Sequence, residues 1–459
     1  MKGQPVTLIF DIGKTNKKWF LFDPDYSIVE QEIVRFDEIP DEDGFPSDNL
    51  PAIADWIRAC AEKLLSDDRY VVQALNFSTY GASLVHLDRT GRYLPPFYNY
   101  LKPFPDWLAK SFFSQCLSRH AFELTTASPW MGLLNSGLQL YYLKHAKPEK
   151  LAQLALSLHF PQYLSSLFTG HFYAEHTSIG CHTGLWDFEK KGYAGWLETE
   201  GLTRYLPPAG RATHIHNAHW QGRQLRVGVG VHDSSAALVP YLQAIDTPFA
   251  LISTGTWSIC MNPFNHQPLT EDELHRDCLH FLAPTGNTVK ASRLFLGRHL
   301  EQQLHTLARS FGVDVGHFHQ IRWRPFQSRR AGSADFWFDH GPLQPERFGV
   351  RNGSGMDRSH FDSYEDAYFH LMDELTDLQL ASLQLVLGNS PVKKVFIDGG
   401  FGENEVFVQL IASKRPDLEI FSAENAQGSA LGAALLVSGQ PLPTDFMIKN
   451  YRLKSYRKS

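Results

Sequence analysis

Apolar and polar positions alternate in short runs at the start of the chain, and positions 6–36 read as three consecutive strands, the third covering 28–36. The acidic stretch 37–49, with Pro and Gly, reads as a loop. Pro51 then opens a helix, because Ile53, Ala54, Ile57, Ala61, Leu64 and Leu65 recur at helical spacing. Positions 70–77 read as a strand that ends in the polar turn Ser78-Thr79-Tyr80-Gly81, and 84–87 as another, closed by Asp88-Arg89-Thr90-Gly91. Three strands, a helix and more strand predict a mixed sheet with helical cover.

The stretch 94–107 is dense in proline and aromatics. Positions 133–168 read as mainly helical, and 171–188 as a loop region rich in Thr, Ser, Gly and His. Short strand signals run from Pro207-Pro208 to Val231, and a helix covers 236–243. Asp246-Thr247-Pro248 predicts a hinge, since helices end before proline, and divides the chain into lobes at 1–245 and 246–459. Beyond it come a strand-turn-strand unit at 249–261, a helix at 294–311 and an irregular stretch at 312–360. A long helix at 364–387, a strand at 392–397, the turn Asp398 to Asn404 and a further helix follow. A strand at 419–421 and an Ala- and Gly-rich helix at 428–437 complete the pattern, and the predicted class is α/β.

One device occurs twice. Thr7-Leu8-Ile9-Phe10 leads into Asp11-Ile12-Gly13-Lys14-Thr15-Asn16 and back out through Lys17-Lys18-Trp19-Phe20. Leu251-Ile252 leads into Ser253-Thr254-Gly255-Thr256 and out through Trp257-Ser258-Ile259-Cys260-Met261. Hydroxyls and free N–H groups at a glycine turn suit close approach of a phosphate. The repeat predicts two related lobes facing a shared phosphate; two ordinary hairpins is the other reading.

Composition narrows the field. The 459 residues allow two or three domains, and 43% hydrophobic with 20% charged residues is ordinary for a globular protein. A net charge of −6 gives a nucleic-acid partner no electrostatic support, and the basic tail at 449–458 reads as a solvated end. Cys60, Cys116, Cys181, Cys260 and Cys278 are scattered and show no C-x-x-C spacing, which predicts a reducing compartment without disulfides. No apolar run suits a signal peptide or a membrane span, so a cytoplasmic protein without a membrane partner is expected. A homodimer is compatible with the sequence but not specified by it.

Lys14-Thr15 does not complete a P-loop, because the upstream glycine position is Leu8. Asp11, ending a strand beside Gly13, Thr15 and Lys18, could instead hold Mg²⁺ through water while hydroxyl and ammonium groups meet phosphates; a solvated hairpin tip is the alternative. Gly399, Gly400 and Gly402 form a strand-to-helix turn that suits an adenine or a phosphate near backbone, or is only a tight turn. Asp233, at a strand-to-helix junction after His232, is either a helix cap or a general base.

Five segments occur in a characteristic order: DIGKTNKK at 11–18, GVHDSSAALVPY at 230–241, STGTWS at 253–258, DGGFGEN at 398–404 and GSALGAALL at 428–436. Together they resemble the FGGY family of carbohydrate kinases, most closely its rhamnulokinase and fuculokinase-like members. The resemblance implies two ribonuclease-H-like lobes of actin/hexokinase type, with mixed β-sheets flanked by helices. It implies Asp233 as the base that deprotonates a sugar hydroxyl, with His232 beside the sugar and Gly81 and Ser83 at the sugar pocket. Asp11 would organise Mg²⁺. Gly13, Thr15, Lys18, Thr254, Gly255 and Thr256 would contact ATP phosphates, and Gly399, Gly400, Gly402 and Gln302 would border the adenosine.

The sugar side departs from the family pattern. Tyr80-Gly81-Ala82-Ser83 stands for Trp-Gly-Val-Asp, the following Asp-x-Arg is absent around Leu101-Lys102-Pro103, and Pro161-Gln162-Tyr163 replaces Pro-Asp-Tyr. Phe401 takes a glycine position, and the family's second-lobe Asn falls near Arg293-Leu294. The expected activity is ATP-dependent phosphorylation of a ketose or deoxyketose, such as a pentulose or L-rhamnulose. The aromatics Phe97, Tyr98, Tyr100, Phe104 and Trp107 either stack on the sugar or cover the core. A sugar-binding regulatory module on the same fold, or an actin-like ATPase, are the rival readings.

Overall fold

The strand Gln4–Ile12 pairs antiparallel with Lys17–Phe22, which pairs antiparallel with Ile28–Val34. On its other side it runs parallel to Tyr70–Thr79. A strand flanked on both edges and both faces must be apolar nearly throughout, and Val6, Leu8, Ile9, Phe10 and Ile12 are all buried. Arg223–Gly228 joins Tyr70–Thr79 in parallel, with Ile215–Trp220 antiparallel at the edge, and the short strand Val231–His232 also pairs with Tyr70–Thr79. The helix Leu50–Ser66 lays Ile53, Ile57, Ala61 and Leu64 into the core beside this sheet. Asn49 caps it by accepting from the Ala52 N–H at 3.2 Å.

A second sheet repeats the order. Phe249–Thr254 pairs antiparallel with Ser258–Asn262, which pairs antiparallel with Thr288–Leu294. On the other side it runs parallel to Lys394–Gly399, which runs parallel to Glu419–Ser422. The helix Tyr364–Leu387, capped by Ser363, supplies much of the core around this sheet.

This computed structural model describes residues 3–220, 222–329, 335–423, 427–443 and 445–456. The chain forms two units: Met1–Ala244 with Leu279–Thr288 and Gln427–Thr444, and Ile245–Cys278 with Val289–Ala426 and Asp445–Ser459. The segment with the helix Gly428–Ser438, placed by sequence in the second lobe, clusters with the first unit. There Asn76 Nδ2 donates to the Ala433 carbonyl at 2.8 Å, and Gly432 packs on the backbone of Ala236.

Two expectations are corrected. Leu154–His159, within the stretch read as helical, is a strand antiparallel to Leu84–Asp88. Leu154, Leu156 and Leu158 repeat at period two, a signal hidden between the helices Gly137–Ala146 and Phe160–Thr169. In the tail read as a solvated end, Lys454–Tyr456 pairs with Glu419–Ser422 and covers the edge of the second unit's sheet. All five cysteines are free thiols, and among the described residues no helix is long and apolar enough to cross a membrane.

Candidate active site

Strand register gathers the first unit's residues. Asp11 stands opposite Ser78, Ser78 opposite Val231, and Thr79 opposite His232, all in parallel pairs. Asp11, Gly81 and Asp233 therefore lie at the same, C-terminal, end of neighbouring parallel strands, where open α/β sheets place their ligands. Lys18 faces Asp11 across the antiparallel pair, and the Gly13 N–H closes the turn onto the Asn16 carbonyl at 3.0 Å.

Asp233 is the first residue of the helix Asp233–Ala244. Its Oδ1 accepts from the Ser234 N–H at 2.6 Å and hydroxyl at 3.2 Å, and His232 Nε2 lies 3.3 Å from the same oxygen. Although 35% of its side chain is exposed, protein surrounds the carboxyl on its other sides. That desolvation pushes the acid up to about 6, against the Ser234 donors that hold it down. The Asp11 carboxyl is also raised, by desolvation first, with Lys18 opposing, Asp233 adding repulsion, and the Ser429 hydroxyl donating to it. Two acids that repel one another beside one ammonium favour a cation between or near them. Among the described residues no three His, Cys, Asp or Glu side chains converge as a metal-ligand set. A single offered carboxylate suits Mg²⁺, which keeps waters and takes its other oxygens from phosphates.

Gly81 is required by close approach: a Cβ there would stand 2.9 Å from the His232 ring and 3.0 Å from Cys181 Sγ. Ser83 is buried, with its carbonyl accepting the Phe160 N–H. Of the aromatic stretch, Phe97 and Tyr98 are core residues and Trp107 is exposed. Tyr100 alone is placed near the acids: desolvation, then Asp233, Asp48 and Glu38, push its phenol up to about 12. Lys102 binds Asp41 at 2.5 Å and Asp43 at 2.7 Å.

A node absent from the sequence reading lies behind the turn. Asp48 accepts from Lys14 Nζ at 2.6 Å, Lys17 Nζ at 2.9 Å and the Tyr80 hydroxyl at 2.8 Å. Lys17 is wholly buried, and its ammonium also donates to the Lys14 carbonyl at 2.8 Å. Burial alone would raise the Asp48 carboxyl, but Lys14 and Lys17 hold it below its ordinary value. Nothing in the spacing of the acidic stretch 37–49 marks this one acid; its partners are assembled only by folding.

In the second unit, Thr254 is opposite Gly399 in register. Its hydroxyl donates to the Asp398 carbonyl and accepts the Phe401 N–H at 3.1 Å, so it braces the glycine turn. Gly255, Thr256 and Gly400 remain exposed at the turn tips, while Gly402 is buried with its N–H on the Gly399 carbonyl at 2.9 Å. Gly399 has φ +81°, and a Cβ there would run into the Thr254 carbonyl. In the first unit's turn, Thr15 is exposed as well. Gln302 lies exposed on the helix Leu296–Phe311, whose residues Leu300, Glu301, Leu304 and His305 line, with Phe318 and His319, an open recess of about 360 Å³. Arg293, near the expected Asn position, is buried against the Trp257 ring and pairs with Asp277 at 2.8 Å.

The sequence and the fold are similar to those of known proteins. A rhamnulokinase from Yersinia pestis bv. Antiqua (strain Angola) is 28% identical over 256 residues, 53% of this chain and 50% of that one. The chain thus spans about half the length of the curated relatives it matches. The fold is similar to the crystal structure of a carbohydrate kinase from Novosphingobium aromaticivorans, with TM-score 0.72, 24% identity and coverage of 97% and 98% of the two chains. It is also similar to ligand-bound xylulose kinase from Lactobacillus acidophilus, with TM-score 0.79, 16% identity and coverage of 99% and 94%. The fold is accordingly the actin/hexokinase-like fold of the sugar kinases. Residues 6–231 match the N-terminal domain of the FGGY family of carbohydrate kinases, and this part of the chain is such a domain.

Proposed function

We propose that the protein transfers the γ-phosphoryl group of ATP to a hydroxyl of a ketose or deoxyketose. The observation that carries this reading is Asp233: a partly exposed, desolvated carboxylate at the end of a parallel strand, with a pKa raised to about 6. Such a group is ionised near neutral pH yet basic enough to take a proton from a sugar hydroxyl. Its Oδ1 is held by Ser234, which fixes the carboxylate while the sugar hydroxyl donates to it. His232 and Gly81 form the wall beside it.

Asp11 is assigned to Mg²⁺, held through water, and the ion would neutralise charge on the transferring phosphoryl group. Lys18, Gly13 and Thr15 on the first unit's turn are assigned to ATP phosphates. On the second unit Gly255 and Thr256 are assigned to phosphate and Gly399, Gly400 and Gly402 to adenosine. Thr254 supports that turn from behind. Gln302, assigned to the adenosine, lies exposed on the helix whose Glu301 and His305 line an open recess.

ADP release measured with L-rhamnulose, L-fuculose, L-ribulose and D-xylulose tests the proposal. The expected result is release that requires MgATP and at least one of these sugars. ATP hydrolysis unaffected by every sugar would overturn it in favour of an ATPase.

A further inference from the structure

We infer that Asp48 is a positioning residue that ties the phosphate-side turn of the first hairpin to the sugar-side turn bearing Tyr80 and Gly81. The inference rests on the kinase reading above. Asp48 touches neither assigned ligand site itself; it acts through the groups bound to it.

Three contacts make the joint. Lys14 lies within the turn at Gly13 to Asn16 and Lys17 directly follows it, and their ammonium groups lie 2.6 and 2.9 Å from the two Asp48 oxygens. Lys17 also bonds back to the Lys14 carbonyl, so the turn's backbone is held as well as its side chains. The third contact is the Tyr80 hydroxyl at 2.8 Å. Tyr80 immediately precedes Gly81, and its ring packs edge-on against Tyr100 at 5.9 Å. Both turns begin where paired parallel strands end, since Ile12 is opposite Thr79 and the Tyr80 N–H bonds to the Ile12 carbonyl at 3.1 Å. One buried carboxylate therefore sets the position of both.

The pairing also divides labour among the three lysines of the motif. Lys14 and Lys17 are neutralised, by Asp48 and in part by Glu38 at 2.9 Å from Lys14. Lys18 is thereby the lysine of the motif that faces Asp11. A carboxylate buried against two cations is hard to replace, because removing it leaves buried charge unpaired. A purely stabilising role would lower the melting temperature and leave ligand affinities of the folded enzyme alone. A joint moves both affinities together.

The test uses the full chain and three variants: Asp48→Asn, Asp48→Glu and Tyr80→Phe. The readouts are MgADP affinity by titration calorimetry, KM for the best ketose of the panel, and melting temperature. Asp48→Asn is expected to weaken MgADP and to raise the ketose KM, each by about tenfold, the loss typical of a hydrogen bond to a charged group. Asp48→Glu should recover part of both. Tyr80→Phe cuts only one arm, so it should raise the ketose KM while MgADP affinity stays within about twofold. If Asp48→Asn does not fold, Lys14→Met takes its place and should weaken MgADP with less effect on the ketose. A folded Asp48→Asn enzyme with wild-type affinities for both ligands overturns the inference, as does a Lys14→Met or Tyr80→Phe enzyme that changes neither. A wild-type protein that binds MgADP but phosphorylates no ketose leaves the nucleotide arm to decide on Asp48, and refutes the kinase reading instead.

Discussion

In the proposed mechanism Asp233 meets two demands that pull in opposite directions, accepting the Ser234 donors at the start of its helix and accepting a proton. The Ser234 donors satisfy Oδ1 as a cap would, while desolvation lifts the acid to about 6. Asp233→Asn keeps the shape and much of the cap but loses the base. Turnover should fall on the order of 10²- to 10⁴-fold, with MgADP affinity retained; kcat and calorimetry on the purified variant check both. In the wild type, kcat/KM should decline as pH falls through about 6, because the base must be ionised. The stability effect has the opposite sign. The folded state holds this proton more tightly than the unfolded chain, so Asp233 supports folding most fully below its unfolded value near ~3.9. That support is lost as pH rises through about 6. The Asn variant should therefore melt no lower than wild type at pH 8, in a scan that compares pH 5 with pH 8. Lys18→Ala tests the other end of the site. With Lys14 and Lys17 bound to Asp48, loss of Lys18 should raise KM for ATP more than for the sugar, and initial rates with each substrate varied read the split. Asp233, Asp11 and Lys18 stand out in the sequence as candidates because each sits within a short motif. Asp48 does not, since its partners lie 31 to 34 residues away and only burial singles it out.

At the level of elements, the glycine turns carry the geometry. The second unit's turn is built from two pieces of chain, with Thr254 and Gly399 paired across parallel strands. Gly399 adopts φ +81°, and any side chain would meet the Thr254 carbonyl. Gly399→Ala combines left-handed backbone strain of about 1–2 kcal/mol with a steric clash, so the turn must shift. MgADP affinity is expected to drop by tenfold or more while the sheet survives; calorimetry for the ligand and far-UV circular dichroism for the fold check this. Wild-type affinity in the variant would remove this turn from the nucleotide site. The hairpins themselves were legible, because a polar glycine turn between two apolar runs has few other solutions. The Leu154–His159 strand was not, since six residues between two helices read as a continuation of either. The closing strand Lys454–Tyr456 was hidden in the same way: basic side chains say solvent, while its backbone pairs with a sheet edge.

For the whole molecule, the order of strands around the central strand repeats from one unit to the other. In each unit a central strand has an antiparallel hairpin partner on one side and a parallel strand on the other. In the first unit's hairpin an acid faces a lysine, Asp11 with Lys18; the corresponding turn of the second has Thr254, Gly255 and Thr256. The duplication was visible in sequence, whereas the return of 427–444 to the first unit was not, because the Ala- and Gly-rich helix carries no signal of which sheet it packs on. The sugar side of the proposed site is where the sequence departs from the family pattern. Ser83 stands where the family resemblance implies an aspartate, and it is buried. Lys102 is taken up by Asp41 and Asp43. Of the aromatic stretch, Tyr100 is the residue whose phenol is pushed up by burial and then by the Asp233 charge, and we expect it to offer a stacking surface and one hydroxyl in place of an acid-base pair. A pocket built to hydrogen-bond a hydroxyl rejects analogues lacking it by large factors, because its own polar groups are left unpaired. Without those groups the discrimination relaxes. L-rhamnulose should thus be at best a modest substrate, with another ketose such as a pentulose phosphorylated better. Side-by-side kcat/KM values for L-rhamnulose, L-fuculose, L-ribulose and D-xylulose decide the matter. A preference for L-rhamnulose above about a hundredfold, the scale of a dedicated hydroxyl contact, would mean that another residue supplies the missing carboxylate's role. Tyr100→Phe would then be the first variant to examine, since loss of its hydroxyl should cut the L-rhamnulose preference and leave the turnover of the other ketoses nearly unchanged.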